Sequence, residues 1–320
     1  MSIENQLDPE SAIPLQALLE AFPGGFNSVA DIVERRAMLE QLQTAARAQL
    51  PHNPNVTMST HQVEQSEATE PLEIRIYRPT QSAGVLPCLA NIHGGGMIMG
   101  SLDIEDPNCR ALCETLNICI ASIDYRKAPE HPYPAAPRDC YAGIKWLAEH
   151  AEEMQIDPTN LGLIGFSAGG CLAIAVALMI RDLGGPQLKY LVPVYPMLDD
   201  RNETPSSKAI TNVGVWDRST NIEAWDWYLG SQEADGYAAP ARMQDLSGLP
   251  PTFISVGSMD LFYDECVAFA KRLKDAGVAT EFKTYAGAYH ASERMAPDAA
   301  LSVQIMQDRI AALKDFIGGP

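Results

Sequence analysis

The chain has 320 residues, 46% of them hydrophobic, enough for one large core or two modest ones and too apolar for wholesale disorder. Asp and Glu number 41 against 23 Lys and Arg, so the formal net charge is −18. Such a chain repels phosphate backbones and anionic membranes at long range, and no basic patch overrides that field, so nucleic acid and the membrane surface are excluded as general partners.

The start, Met1-Ser2-Ile3-Glu4-Asn5-Gln6, has neither a basic nor an apolar leader region, and no secretory signal is read there. Residues 1 to about 50 read as helices with polar and Pro/Gly breaks. Val29–Leu50 is rich in good helix formers and ends at Pro51 and Pro54. The period then changes. Leu72, Ile74 and Ile76 alternate with Glu73, Arg75 and Tyr77, the pattern of a half-buried antiparallel strand that Pro79 ends. Beyond a turn near Ser82-Ala83-Gly84, short apolar runs alternate with helical ones. Leu89–Ile92, Ile118–Ile123, Leu161–Ile164, Leu191–Tyr195, Thr252–Val256 and Glu281–Tyr285 read as strands. Arg138–Glu149, Gly169–Arg181 and Leu261–Ala276 read as helices, the last capped by Gly277. Val303, Met306, Ile310, Leu313 and Ile317 mark the expected buried face of a final helix. This alternation predicts an α/β fold with a mainly parallel sheet covered on both faces.

Cys171–Ile180 is the longest apolar run; at ten residues it cannot cross a bilayer and reads as a buried helix. The seven Cys lack metal-site spacing and sit mostly in apolar stretches, as reduced core thiols of a cytoplasmic protein do. Cys109 and Cys113 lie one helical turn apart, but no His follows at ligand spacing, so no zinc site is expected. Asp199–Pro240 breaks the strand–helix rhythm and holds Trp216, Trp225 and Trp227. An insertion of that length reads as a lid over a cleft at the carboxyl ends of the strands, against the plainer reading of a decorated surface helix pair.

The sharpest chemical signal is Gly165-Phe166-Ser167-Ala168-Gly169 between an apolar strand and a helical run, the context of a nucleophile elbow. Glycines two residues either side of Ser167 let a strained turn lift the hydroxyl above the sheet, at a helix N-terminus where developing negative charge is favoured. A second signal is His93-Gly94-Gly95-Gly96 after the strand Leu89–Ile92. Bare backbone N–H groups there suit an oxyanion hole, with Gly95 and Gly96 as donors beside Ala168. A phosphate loop would need a Lys-Ser/Thr that is missing. His93 reads as a loop-shaping residue, because in this architecture the order along the chain is Ser, acid, His. His290 is the single His after Ser167 and so the candidate base. Asp260, after the strand Thr252–Val256, is the candidate acid, ahead of Asp264 and Glu265 inside the next helix.

With these residues in view, the chain resembles the hormone-sensitive-lipase family of α/β-hydrolases, the bacterial family IV esterases, from roughly Pro71 to Phe316. The resemblance rests on His93–Gly96, Asp124-Tyr125-Arg126-Lys127-Ala128-Pro129-Glu130-His131-Pro132 and its continuation to Ala136, Gly165–Gly170, Tyr195-Pro196, Asp245–Pro251 and Asp260–Glu265. It implies an α/β-hydrolase fold with an eight-stranded, mainly parallel sheet and a helical cap. The cap would comprise residues 1–50 and an insertion at 199–240, over a catalytic domain of 51–198 and 241–320. It also implies hydrolysis of short- to medium-chain carboxylic esters through an acyl-enzyme, with Ser167, Asp260 and His290 as triad and Gly94, Gly95, Gly96 and Ala168 as oxyanion hole. No cofactor or metal is implied, a small-molecule ester is the partner, and many members are homodimers. Two positions depart from the family pattern. Phe166 replaces the acidic residue most often found before the nucleophile, and Ala291-Ser292 replaces Gly-Phe after the histidine. Two other readings use the same residues: an amidase or formamidase on the same triad, and a non-catalytic receptor, against which the presence of His290 argues.

Overall fold

A computed structural model describes residues 6–21, 23, 28–47, 53–64, 70–211 and 215–319. Met1–Asn5, where a leader was sought, and residues 48–50 with Pro51, where the second helix was expected to end, lie outside them. Eight strands are present: β1 (Val56–Val63), β2 (Leu72–Pro79), β3 (Leu86–Ile92), β4 (Cys119–Ile123), β5 (Ile156–Phe166), β6 (Tyr190–Val194), β7 (Thr252–Met259) and β8 (Thr280–Tyr289). They form one sheet in the order β1-β2-β4-β3-β5-β6-β7-β8, antiparallel across β1/β2 and β2/β4 and parallel elsewhere. The helices are α1 (Pro9–Ala21), α2 (Ile32–Arg47), α3 (Leu102–Leu116), α4 (Ala135–Glu149), α5 (Ala168–Leu183), α6 (Pro205–Ala209), α7 (Arg218–Leu229), α8 (Tyr263–Asp275), α9 (Ser292–Met295) and α10 (Ala300–Gly318).

The core follows the apolar runs. Every residue of β4 and β6 and the last five of β3 are buried. Helix α5 is buried on all sides from Ala168 to Met179, which is why its sequence shows a continuous apolar run rather than a stripe. All seven Cys are buried and unpaired. Gly277, just past α8, takes φ +80, the left-handed conformation that ends a helix.

Three elements depart from the sequence reading. Strand β1 was not expected. Its only buried residues are Val56 and Val63, and the polar side chains between them face solvent, so no alternation marks it. Helix α3 was also not expected, because Pro107 sits inside it. Ser101 caps it by accepting a hydrogen bond from the Ile104 N–H, and Asn117 ends it in the left-handed region. In α10 the buried face is Ser302, Ile305, Arg309, Ala312 and Leu313, while Val303 is 37% exposed. Leu313 is buried and Ile310 and Ile317 pack against the core, and Arg309 is buried on the same helix, paired with Glu293 at 2.7 Å.

Helix α2 and the 199–240 segment come together above the sheet. Asp31 caps α2, accepting from the Val33 and Glu34 N–H groups. On α2, Arg35 is 1% exposed and pairs with Glu223 of α7 at 2.6 Å. Its neighbour Arg36 donates to the Ile98 and Ala128 carbonyls and to Glu130. Trp216 and Trp225 of the insertion are buried, and the Trp216 indole donates to Asn221 Oδ1 at 2.9 Å.

Two buried carboxyls have opposite environments. Burial pushes Glu293 up, but the adjacent Arg309 outweighs it and holds the carboxyl below its ordinary range. Removing the cation leaves a buried anion, so Arg309→Met is expected to cost about 3–5 kcal/mol, read from the urea midpoint. Glu265 is pushed well above the ordinary range, first by burial and then by the charges of Asp199 and Asp260; hydrogen bonds from backbone N–H groups such as that of Leu198 oppose the shift without cancelling it. A carboxyl whose folded-state affinity for its proton is raised contributes stability at low pH and loses it as pH rises from about 4.3 toward the folded value. The stability of Glu265→Gln relative to the parent chain should therefore increase between pH 5 and pH 8, measured as melting temperature across that range.

Candidate active site

Ser167 stands between β5 and α5 with φ 56 and ψ −118, a strained conformation for a side-chain-bearing residue. The surroundings over-determine it. Its N–H donates to the Val194 carbonyl, and its own carbonyl accepts from the Gly170, Cys171 and Met197 N–H groups. The flanking glycines are sterically required. A Cβ on Gly165 would lie 2.0 Å from the Gly169 carbonyl oxygen, and one on Gly169 would lie 2.0 Å from that of Ile92. The sharp turn thus packs α5 directly against β3 and leaves the serine hydroxyl at the helix N-terminus.

Strands β7 and β8 end on the same edge of the sheet and deliver Asp260 and His290. The His290 Nε2 lies 3.0 Å from Ser167 Oγ, and its Nδ1 lies 2.8 Å from Asp260 Oδ2. The other carboxylate oxygen accepts from the Phe262 N–H at 3.0 Å. With its proton on Nδ1 the ring donates to the carboxylate, leaving Nε2 to accept from the hydroxyl. Tyr195 and Phe262 meet the imidazole edge to face, at 4.8 and 5.1 Å between centroids, and hold its plane. All three groups are buried: Ser167 is 6%, His290 5% and Asp260 1% exposed. The rival acids are engaged elsewhere, Asp264 with the Ser206 N–H and Glu265 with that of Leu198.

The glycine run faces this trio. Gly94 packs against the elbow, where a Cβ would come within 2.8 Å of the Phe166 carbonyl oxygen. Gly95 (φ +111) and Gly96 (φ +65) need conformations that side chains disfavour, and a Cβ on Gly96 would strike Trp216. The N–H groups of Gly95, Gly96 and Ala168 are not spent on backbone hydrogen bonds among the described residues. His93 stacks on Tyr125 at 4.2 Å, and its Nδ1 lies 2.8 Å from the Gly94 carbonyl oxygen. It shapes the loop and does not reach Ser167. Beneath it, Arg126 pairs with Asp139 and Lys127 with Asp124, which braces the Asp124–Ala136 loop.

A cleft of about 160 Å3 opens onto Ser167. Leu39 and Gln43 from α2 and Val215, Trp216 and Thr220 from the insertion line one side; Phe166, Glu105 and Arg294 line another. Sequence reasoning missed Glu105 and Arg294. Arg294 follows His290 by four residues and lies over the Phe166 ring at 4.4 Å, with Arg309 at 5.0 Å from the same ring. Burial pushes Glu105 up, but the charge and hydrogen bonds of Arg294 outweigh it and keep the carboxyl below its ordinary range. Neither residue belongs to a motif; Glu105 pairs with Arg294 and Glu293 with Arg309. Ala291, beside His290, occupies the left-handed region at φ +57, which a glycine would take with less strain.

The sequence profile of the alpha/beta hydrolase fold matches residues 89–293. Carboxylesterase NlhH of Mycobacterium tuberculosis is 32% identical over 305 residues, 94% of each chain. Among solved structures, a bacterial heroin esterase superposes with a TM-score of 0.91 at 34% identity, covering 98% of both chains. Esterase LipW of Mycobacterium marinum gives 0.89 at 30% identity, covering 99% of this chain and 98% of that one. The profile spans well over half the chain and the relatives align along nearly all of it: the protein belongs to the alpha/beta hydrolase fold family, in its hormone-sensitive-lipase-like branch of esterases.

Proposed function

We propose that this carboxylic ester hydrolase works through Ser167, His290 and Asp260. The hydroxyl of Ser167 attacks the ester carbonyl while His290 Nε2 takes its proton. Asp260 holds the imidazole in the required tautomer and stabilises its charged form. The tetrahedral oxyanion is met by the N–H groups of Gly95, Gly96 and Ala168, with Gly94 setting the loop against the elbow. His290 then returns the proton to the departing alcohol, and water activated by the same imidazole clears the acyl-enzyme. The observation that carries this reading is the unbroken pair of hydrogen bonds, 3.0 Å from serine to imidazole and 2.8 Å from imidazole to carboxylate.

In this reading residues 1–50 and 199–240 act as a cap over the 51–198 and 241–320 catalytic domain. The Arg35–Glu223 pair joining the two cap pieces supports it, as does the contribution of both to the cleft wall. The small, mostly apolar cleft supports short- to medium-chain acyl groups, as the family resemblance implies. Among the described residues no helix is long and apolar enough to cross a membrane. A cytoplasmic site of action and a homodimer complete the proposal, the first supported by the seven unpaired thiols and the second by the family resemblance alone.

A series of p-nitrophenyl esters from acetate to laurate, with matched anilides, tests the reading. Short esters should be the best substrates and anilides far slower. Ser167→Ala should lower kcat/KM by more than about 10^4-fold while its melting curve stays close to that of the parent. Ordinary turnover by that variant would refute the assignment of the nucleophile.

A further inference from the structure

Resting on the reading above, we propose that Arg294 is a specificity-determining residue. It selects esters that carry a second acceptor oxygen, a ketone carbonyl or a carboxylate, a few bonds from the scissile group. The argument begins with exposure. The Arg294 side chain is 33% exposed and lines the cleft, while the side chain of its partner Glu105 is 2% exposed. Nη1 donates to Glu105 Oε1 at 2.7 Å and Nη2 to Oε2 at 3.1 Å. A guanidinium carries five N–H groups, and this bidentate pair uses two of them. The others have no protein acceptor among the described residues.

The position of the guanidinium is set by its surroundings. One edge is held by the buried carboxylate, and the group lies over Phe166, the residue preceding Ser167. Arg294 is also the only Lys or Arg lining the cleft among the described residues; much of the rest is apolar, including Leu39, Met99, Ile104, Val215 and Trp216. A mostly apolar cleft with one fixed cation orients its ligand through that group. A guanidinium is weakly hydrated and makes strong hydrogen bonds to carbonyl and carboxylate oxygens, so a substrate oxygen can replace its water at modest cost. The counter-ion of this cation is Glu105, whose side chain is 2% exposed.

Two isosteric ester pairs test the proposal. Ethyl 4-oxopentanoate against ethyl 4-methylpentanoate puts the acceptor on the acyl side, and 3-oxobutyl acetate against 3-methylbutyl acetate puts it on the alcohol side. Ethyl hydrogen butanedioate adds a carboxylate arm, which separates an anion preference from a preference for any acceptor. In the parent enzyme kcat/KM should favour the acceptor ester by about tenfold in at least one pair, the scale of a hydrogen bond to a charged group. In Arg294→Met that ratio should fall to near one. Should the unpaired Glu105 prevent folding, the double variant Glu105→Gln/Arg294→Met removes the stranded charge and is read the same way. A parent enzyme that hydrolyses the plain esters but shows no preference in either pair overturns the proposal alone, as does a ratio that survives loss of the guanidinium. A parent enzyme that turns over no ester, p-nitrophenyl acetate included, overturns the underlying reading instead.

Discussion

Everything at this site depends on how closely α5 approaches the strands at residues 165–169. With hydrogen atoms alone at Gly165 and Gly169, the turn closes on itself and on the end of β3. Only then does Ser167 sit at positive φ with its hydroxyl above the sheet, opposite His290. The strain held in that turn is balanced by four backbone hydrogen bonds to Ser167 and by a helix buried along most of its length. The glycine loop after β3 depends on the same approach, because Gly94 packs on the Phe166 carbonyl.

A second constraint is charge. The protein is strongly acidic overall, yet two arginines lie over the Phe166 ring beside the nucleophile, Arg294 on the cleft and Arg309 buried. Each has its own buried carboxylate, Glu105 for Arg294 and Glu293 for Arg309. Buried charges are tolerable only in such pairs, and these pairs also tie elements together. Arg294 links α9 to α3, and Glu293 links α9 to α10 and to the Tyr195 hydroxyl. The short turn that follows His290 is therefore clamped from two sides, and Tyr195 in turn rests against the imidazole.

Much of this was legible in the amino-acid sequence, for reasons that differ from residue to residue. The elbow and the glycine loop are local: spacing and residue type announce them, and Ser167 stands between β5 and α5 at φ 56 with Gly94 packed against it. Asp260 and His290 were reachable because order along the chain leaves few candidates. Strands buried on both faces announce themselves as apolar runs. What was not legible depends on partners distant in sequence. Strand β1 earns its place by pairing with β2, not by any pattern of its own. Helix α3 survives an internal proline because its first turn is capped and its apolar side is buried. The burial of Arg309 on α10 goes with its ion pair to Glu293, which no reading of α10 alone could supply. Glu105 and Arg294 lie 189 positions apart, and neither belongs to a motif.

The pairing of Arg35 with Glu223 has a consequence for the medium in which the enzyme can work. Dissolved ions weaken attraction between charges that they can surround: at physiological ionic strength exposed charges more than about 8 Å apart are largely screened from each other, and buried pairs are screened much less. The Arg35 guanidinium is sealed from bulk solution, its Nε also bound to the Val29 carbonyl. With Glu223 partly exposed, the fastening between α2 and α7 is still less open to salt than the Lys271–Asp275 pair on α8, both of whose side chains are exposed.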